Sequence, residues 1–166
     1  MTLFDVTDLA VTIHTGNRAR GRRAVRAVES ISFSVESGQT AAIVGESGSG
    51  KSVSLLAATR LLGARAETTG SVRFAGQDLL SVSEPELRRI LGKDIGFVFQ
   101  DPQSNLHPFK SVGHQIDEVL RIHTRAGRRA RRERVEELLA EVGIPAGGYD
   151  GFPAEFSGGM RQRAMI

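Results

Sequence analysis

Hydrophobic and polar residues alternate along two early segments of the chain. From Leu3 to His14 the apolar residues are spaced mostly by two, and Ile31, Phe33 and Val35 alternate with polar neighbours. Because successive side chains of a strand point to opposite faces, both segments predict half-buried β-strands. The connecting segment, Gly16 to Arg26, is rich in arginine and glycine, so we expect an exposed connection there.

Two later segments are almost continuously apolar, Thr40 to Gly45 and Asp94 to Gln100. An apolar run without alternation predicts a strand that is buried on both faces. A glycine-rich loop and a predicted helix, Ser52 to Leu62, follow the first of these strands, and Gly70 to Leu80 predicts a further hairpin-forming strand. The order of strand, glycine-rich turn and helix indicates an α/β fold.

Later in the chain the pattern becomes typical of helices. We predict one helix over Val112 to His123 and another over Arg128 to Val142. Apolar residues of the second helix fall at i, i+3, i+4 and i+7 and form one stripe, and Gly143 provides a C-terminal stop. The stripe consists of Val135, Leu138, Leu139 and Val142. The chain is therefore predicted to divide into a sheet-rich part, 1–103, and a helical part, 104–166.

Composition limits the class of protein. A length of 166 residues with 40% hydrophobic residues fits one domain with a single core. The lack of cysteine excludes disulfides and thiolate metal sites and fits a reducing cytoplasm. Apolar runs are shorter than the roughly 18 to 20 residues of a membrane helix. Met1 to Asp8 carries two acidic residues and no basic one, so we expect neither a signal peptide nor a membrane anchor.

The net charge of +3 arises almost wholly from arginine. Most arginines of the second cluster lie opposite the apolar stripe of the helix over 128–142, which favours a solvated face over a surface for nucleic acid. Aromatic residues, on which bases could stack, are not interleaved with them. This cluster consists of Arg125, Arg128, Arg129, Arg131, Arg132 and Arg134.

The glycine-rich loop carries the clearest chemistry. It matches the pattern G-x-x-x-x-G-K-S/T between a predicted strand and a predicted helix, the context that phosphate-binding loops require. Its glycines let successive N–H groups point at a β-phosphate, and the helix N-terminus also favours an anion. Lys51 adds a charge for the β- and γ-phosphate oxygens, and the Ser52 hydroxyl is a ligand for Mg²⁺. The predicted nucleotide-binding residues of this segment are Gly45, Glu46, Ser47, Gly48, Ser49, Gly50, Lys51, Ser52 and Val53.

Two further strings distinguish among the proteins that have such a loop. Phe97 to Pro102 reads Phe-Val-Phe-Gln-Asp-Pro, and Phe156 to Arg163 reads Phe-Ser-Gly-Gly-Met-Arg-Gln-Arg. In this order they resemble the Q-loop and the signature sequence of ABC ATPases. With the run Gln100 to Pro108 and the methionine after Gly159, the chain is similar to the ATPases of oligopeptide, dipeptide and nickel importers.

The resemblance implies a fold and a function. The fold is a P-loop NTPase, an incomplete ABC-type ATP-binding domain with an antiparallel β part, a phosphate-loop strand and helix, and a helical subdomain that ends in the signature. The function is ATP-driven dimer closure that powers import of peptides or similar small solutes, with ATP and Mg²⁺ as cofactors. Implied partners are a second ATP-binding subunit, transmembrane permease subunits and, indirectly, an extracytoplasmic solute-binding protein. The implied location is the cytoplasmic face of the cell membrane, and no nucleic acid is expected as a partner.

The resemblance also assigns roles to residues. Lys51 and Gln100 would be catalytic, and Ser52 and Gln100 would be ligands of Mg²⁺. The ATP held by the partner subunit would be contacted by Ser157, Gly158 and Gly159. Near Arg22 to Arg26 the chain departs from many family members, which have an aromatic ring there for adenine.

Three further family residues, an aspartate for Mg²⁺, a glutamate for the attacking water and a switch histidine, would follow Ile166. Residues 1–166 are therefore expected to bind nucleotide without hydrolysing it and to be loosely packed. Two alternative interpretations remain at this point. One is a nucleic-acid-associated ABC ATPase whose arginines contact phosphate, and the other is a non-catalytic, nucleotide-gated interaction module.

Overall fold

The computed structural model describes residues 2–15, 23–99 and 105–166. Contacts divide the chain into two compact units, Met1–Leu87 and Arg88–Ile166. The boundary predicted between residues 103 and 104 falls within residues 100–104, which lie outside the described residues, and it stays a prediction. Each unit has its own set of regular elements.

The first unit contains a four-stranded antiparallel sheet in the order β2-β1-β3-β4. The two early strands predicted from alternation are confirmed, with Leu9 opposite Ile31 and Val6 opposite Phe33. Val6 and Leu9 are buried, as the period of two along a strand requires. The strands are β1 (Thr2–Thr15), β2 (Arg23–Glu36), β3 (Ala66–Phe74) and β4 (Gln77–Asp78).

Two strand boundaries differ from the prediction. Strand β2 begins at Arg23, so its first residues pair with β1 and are not part of a connection. Residues 16–22 of the predicted connection lie outside the described residues. The hairpin predicted over 70–80 is formed by β3 and β4, but β3 already begins at Ala66. Both differences arise because β2 and β3 are extended by pairing along the length of β1.

The prediction of two strands buried on both faces is wrong. Residues 40–45 and 96–99 have no strand conformation, and Ile95 makes an isolated bridge. Val44 is 90% exposed and Val98 is 58% exposed. A buried strand needs hydrogen-bonded neighbours on both edges, and no strand of the described residues pairs along either segment. An apolar sequence therefore does not by itself place a segment in a sheet.

The helix after the glycine-rich loop, α1 (Lys51–Ala58), is shorter than the helix predicted over 52–62. The chain leaves it at Arg60, whose φ of +55° is incompatible with a further helical turn. The next helix, α2 (Glu84–Ile90), begins in the first unit and has no counterpart among the predicted helices.

The second unit is helical. Its elements are α3 (Val112–His123), α4 (Arg128–Glu141), a 3-10 turn (Pro153–Glu155) and α5 (Gly158–Ala164). The two predicted helices are confirmed, with Val142 as the C-cap of α4. Over the ranges that the structure describes, no helix is both long enough and apolar enough to cross a membrane.

Three of the four residues of the predicted apolar stripe belong to the core of the second unit or pack against it, whereas Leu138 is only half-buried. Val135 and Leu139 of α4 are buried in this core, and Val142 packs against it. Side chains four residues apart lie on one face of a helix, so this apolar face of α4 packs against the core. The buried residues of the core are Val112, Val135, Leu139, Ile144, Tyr149 and Phe156.

An ion pair joins α3 to α4. Arg131 Nε donates to Asp117 Oδ1 at 2.8 Å, and the two side chains are only 15% and 17% exposed. The hydrogen bond from Arg131 is the main cause that lowers the pKa of Asp117 from its usual value. The same bond raises the pKa of Arg131. Both groups are therefore charged at neutral pH.

Candidate nucleotide-binding site

The glycine-rich loop is shaped by its glycines. Gly48 and Gly50 have φ angles of +84° and +89°, in the left-handed region that residues with a side chain rarely adopt. A Cβ atom on Gly50 would also lie 2.8 Å from the backbone oxygen of Ala27 in β2. At Gly45 the requirement is space alone, since a Cβ there would lie 2.7 Å from Ser49 Oγ. The loop thus packs against β2 and closes on itself.

The ammonium group of Lys51 lies against this loop. Its Nζ donates to the backbone oxygens of Gly45 and Glu46 at 2.7 and 2.6 Å and to Ser49 Oγ at 3.3 Å. These three acceptors match the three donor hydrogens of an ammonium group. All of them are neutral, and within the described ranges no carboxylate forms an ion pair with Lys51. The Lys51 ammonium is therefore held at the loop, and no carboxylate of the described residues neutralises its charge.

Helix α1 begins without a side-chain cap. Its N-cap residue is Gly50, and the helical hydrogen bonds start with the bond from Ser54 N to Gly50 O at 2.8 Å. The N–H groups of Lys51, Ser52 and Val53 precede this ladder and have no intrahelical acceptor. Together with the positive end of the helix dipole, they make this end of α1 suitable for an anion.

The signature residues 157–159 form the start of α5. Ser157 is the N-cap, and its Oγ accepts a hydrogen bond from Met160 N at 3.2 Å. Gly158 and Gly159 are exposed, and a Cβ atom on either would meet no heavy atom within 4 Å. Neither has a φ in the left-handed region. Packing and backbone conformation within the described residues therefore do not require glycine at these two positions.

The structure places the predicted site residues in two groups. The phosphate-loop residues, 45–53, form one continuous segment of the first unit, in which Glu46 and Ser47 are exposed. Residues 157–159 belong to the second unit. Gln100 lies outside the described residues, so its predicted roles stay predictions. No sequence pattern indicated the contact of Gly50 with β2, because the contact joins segments that are distant along the chain.

Four of the five arginines of α4 form ion pairs: Arg131 with Asp117 of α3, and three others with the carboxylates given below. The Arg132 guanidinium also lies 4.1 Å from the centre of the Tyr149 ring. Four of the six arginines of the cluster are thus paired with carboxylates of the same unit, which supports the solvated face that the sequence favours. The pairs are Arg129 with Glu133, Arg132 with Glu136 and Asp150, and Arg134 with Glu137 and Glu141.

Comparison with known families covers both groups of site residues. The model of the ABC transporter family matches residues 28–166, a range that includes the glycine-rich loop and the signature residues. The chain belongs to the ABC transporter family. This membership confirms the resemblance drawn from the three sequence motifs.

Relatives of this ABC family chain include peptide transport proteins. It is 47% identical over 167 residues to the oligopeptide transport ATP-binding protein OppD of Mycobacterium tuberculosis, a match that covers 99% of the chain and 26% of that protein. It is 43% identical over 169 residues to the dipeptide transport ATP-binding protein DppD of Escherichia coli, covering 100% of the chain and 50% of that protein. The chain thus spans between a quarter and a half of the length of these two relatives.

Solved ABC cassettes share the fold. The dimeric structure of the bacterial ABC transporter cassette MJ0796 matches with a TM-score of 0.79 at 27% identity, covering 99% of this chain and 67% of that chain. A dimeric post-hydrolysis state of the same cassette, bound to ADP and Pi, matches with a TM-score of 0.76 at 25% identity. This match covers 98% of this chain and 67% of that chain. The predicted fold class, an ABC-type P-loop NTPase domain, is confirmed.

Proposed function

We propose that this chain is the nucleotide-binding part of an ATP-binding subunit that powers peptide import. One observation carries the proposal: the loop holds the Lys51 ammonium at the uncapped N-terminus of α1, with no acidic partner in the part of the chain that the structure describes. A polyphosphate would match this combination of charge and N–H donors. The relatives are named as oligopeptide and dipeptide transport ATP-binding proteins, which supports peptides as the transported solute.

The proposed binding mode uses donors that are already in place. Phosphate oxygens would accept hydrogen bonds from the N–H groups of Lys51, Ser52 and Val53. The Lys51 ammonium would exchange its contacts with Gly45 and Glu46 for phosphate oxygens. Because the loop already packs against β2 at Gly50 without a ligand, little reorganisation would accompany binding. Lys51 would then stabilise charge on the transferred phosphoryl group, which is its proposed catalytic role.

The residues present also fit Mg²⁺. Ser52 is exposed, and its hydroxyl makes no hydrogen bond to any described residue. Mg²⁺ commonly takes one or two protein oxygens and completes its shell with phosphate oxygens and water. When bound, it supplies positive charge that bridges and neutralises the phosphate oxygens. We propose Gln100 as a second ligand and catalytic residue on the strength of the Q-loop resemblance.

We propose that residues 157–159 close on the ATP of a second ABC subunit. Gly158 and Gly159 are the first two residues of α5, and neither has a left-handed φ. The described residues leave room for a side chain at both positions. Close approach of a group from outside the chain accounts for both glycines. The dimeric state of the solved cassette MJ0796 supports such a partner.

The proposed setting is the cytoplasmic face of the cell membrane. There the subunit would dock on permease subunits and act indirectly with an extracytoplasmic solute-binding protein. Its relatives' names and the ABC family membership support this setting. The alternative of a nucleic-acid ATPase gains no support, because arginines of α4 are paired with carboxylates.

The experiment is peptide uptake by the complete transporter, reconstituted in lipid vesicles with ATP on the side of this subunit. We expect uptake of labelled dipeptides and oligopeptides to require ATP and to stop in the Lys51→Ala variant. Lys93→Ala, which removes an exposed lysine outside the loop, is the matched control and should retain uptake. ATP hydrolysis without uptake of any peptide would contradict the solute class, and uptake by Lys51→Ala would contradict the role of the loop.

A further inference from the structure

Helix α1 ends in a hydrogen-bonding motif that usually contains glycine. Arg60 N donates to Ala57 O at 2.9 Å, and Leu61 N donates to Leu56 O at 2.8 Å. This pair of bonds is the Schellman motif, and its left-handed residue is Arg60, with φ of +55°. A residue with a Cβ atom adopts this conformation only at a cost in free energy.

The same motif closes α4, where it contains the usual residue. Gly143 N donates to Ala140 O at 2.9 Å, Ile144 N donates to Leu139 O at 2.8 Å, and Gly143 has φ of +68°. The backbone geometry is thus alike at the two helix ends, and only the end of α1 has an arginine at the left-handed position. Contacts of the arginine side chain would offset the cost of this conformation.

The Arg60 guanidinium connects the end of α1 to the segment between β4 and α2. Its Nη1 donates to Val82 O at 2.7 Å and to Leu79 O at 3.4 Å, and its Nη2 donates to Glu84 Oε1 at 2.6 Å. The side chain is 25% exposed, so these bonds are partly shielded from water. Leu79 is fully buried and its N–H bonds to β3, so the guanidinium is tied to a fixed part of the sheet.

Helix α1 is short, and the side chains that it buries fully are small. It is eight residues long, and an isolated helix of that length is not stable in water. The residues that it buries are small: Ser54, Ala57 and Ala58. Short polar or methyl side chains contribute little apolar contact, so the bonds at the two ends of the helix have a large share in fixing its axis. At the N-terminal end, the helix is held by the close packing of Gly50 against Ala27 of β2.

We propose that Arg60 is a positioning residue of the nucleotide site: by fixing the C-terminal end of α1, it aims the N–H groups of the first turn at the phosphates. This role rests on the proposed nucleotide binding at residues 45–53. Arg60 does not touch the ligand, and its effect passes through the helix axis.

The test separates the side chain from the backbone strain. Arg60→Ala keeps a Cβ atom at the left-handed position and removes the guanidinium, whereas Arg60→Gly removes both the strain and the guanidinium. We expect Arg60→Gly to be the more stable of the two in thermal unfolding. Both should bind MgATP roughly three- to tenfold more weakly than the wild type, because the guanidinium is lost in each. Arg60→Lys should recover part of the affinity, since an ammonium can still donate to Val82 O.

Affinity is measured by titration calorimetry at a temperature at which circular dichroism shows every variant to be folded. Gly143→Ala strains the matching motif of α4 and should lower stability without changing affinity. Wild-type affinity in Arg60→Gly, beside a large loss in Lys51→Ala, would overturn the positioning role and leave the nucleotide site standing. Unchanged affinity in Lys51→Ala would overturn the nucleotide site and, with it, the role of Arg60.

Discussion

Glycine occupies three positions of the phosphate loop for different physical reasons. Gly48 supplies a left-handed φ in open space, Gly50 supplies a left-handed φ against Ala27, and Gly45 leaves room for Ser49. The sequence predicted one reason, backbone freedom, for all three. Close approach between segments depends on the tertiary fold, so the space requirements at Gly45 and Gly50 could not be predicted.

This difference leads to a prediction for single alanine substitutions. Gly50→Ala combines an unfavourable φ with a Cβ atom 2.8 Å from Ala27 O, so we expect a loss of about 1 to 3 kcal/mol in the free energy of unfolding. Gly158→Ala adds the same methyl group in open space at a helical position, and its effect should stay within about 0.5 kcal/mol. Urea unfolding followed by circular dichroism measures both. Equal stability of the two variants would contradict the packing of Gly50 on β2.

At the scale of elements, helices were easier to predict than buried strands. The apolar stripe of α4 predicted its extent and its inward face, because both follow from local spacing. Helix α2 was missed although its start carries a local signal. Ser83 N and Oγ both donate to the Glu86 carboxylate, at 3.1 and 2.6 Å, in the spacing of a capping box. Residues 40–45 have the composition of a central strand, but a strand also needs neighbours.

The pairing of α3 with α4 gives a prediction for pH. Since Arg131 lowers the pKa of Asp117 in the folded chain, the pair stabilises the fold above the unfolded pKa of about 3.9. That contribution is lost as the pH falls through the lower, folded pKa. Asp117→Asn should therefore be less stable than the wild type at pH 7 and nearly equal to it at the acidic end of the titration.

Thermal unfolding of both chains over a pH series measures this difference. Glu133→Gln is the matched control, because its partner Arg129 is 92% exposed and an exposed pair contributes little. A stability difference between Asp117→Asn and the wild type that is independent of pH would show that the pair does not act through its charge.

For the whole molecule, three short motifs were sufficient to predict the family. Phosphate binding depends on a few consecutive residues, and the loop over 45–52 keeps its chemistry whatever surrounds it. The family model, which matches residues 28–166, bears this out. The arrangement of the core was less predictable, because it depends on pairings between distant segments. Arg60 illustrates the limit, since its three acceptors lie on a segment that the sequence did not connect to α1.

The central claim is that the loop of residues 45–52 binds nucleotide, and calorimetric titration of the purified chain with MgATP tests it most directly. The wild type should bind one nucleotide per chain. Lys51→Ala loses a charge-assisted contact worth about 1.5 to 3 kcal/mol, so its affinity should fall roughly tenfold to a hundredfold. The control Lys93→Ala should bind like the wild type. Equal affinities of the wild type and Lys51→Ala would contradict the claim.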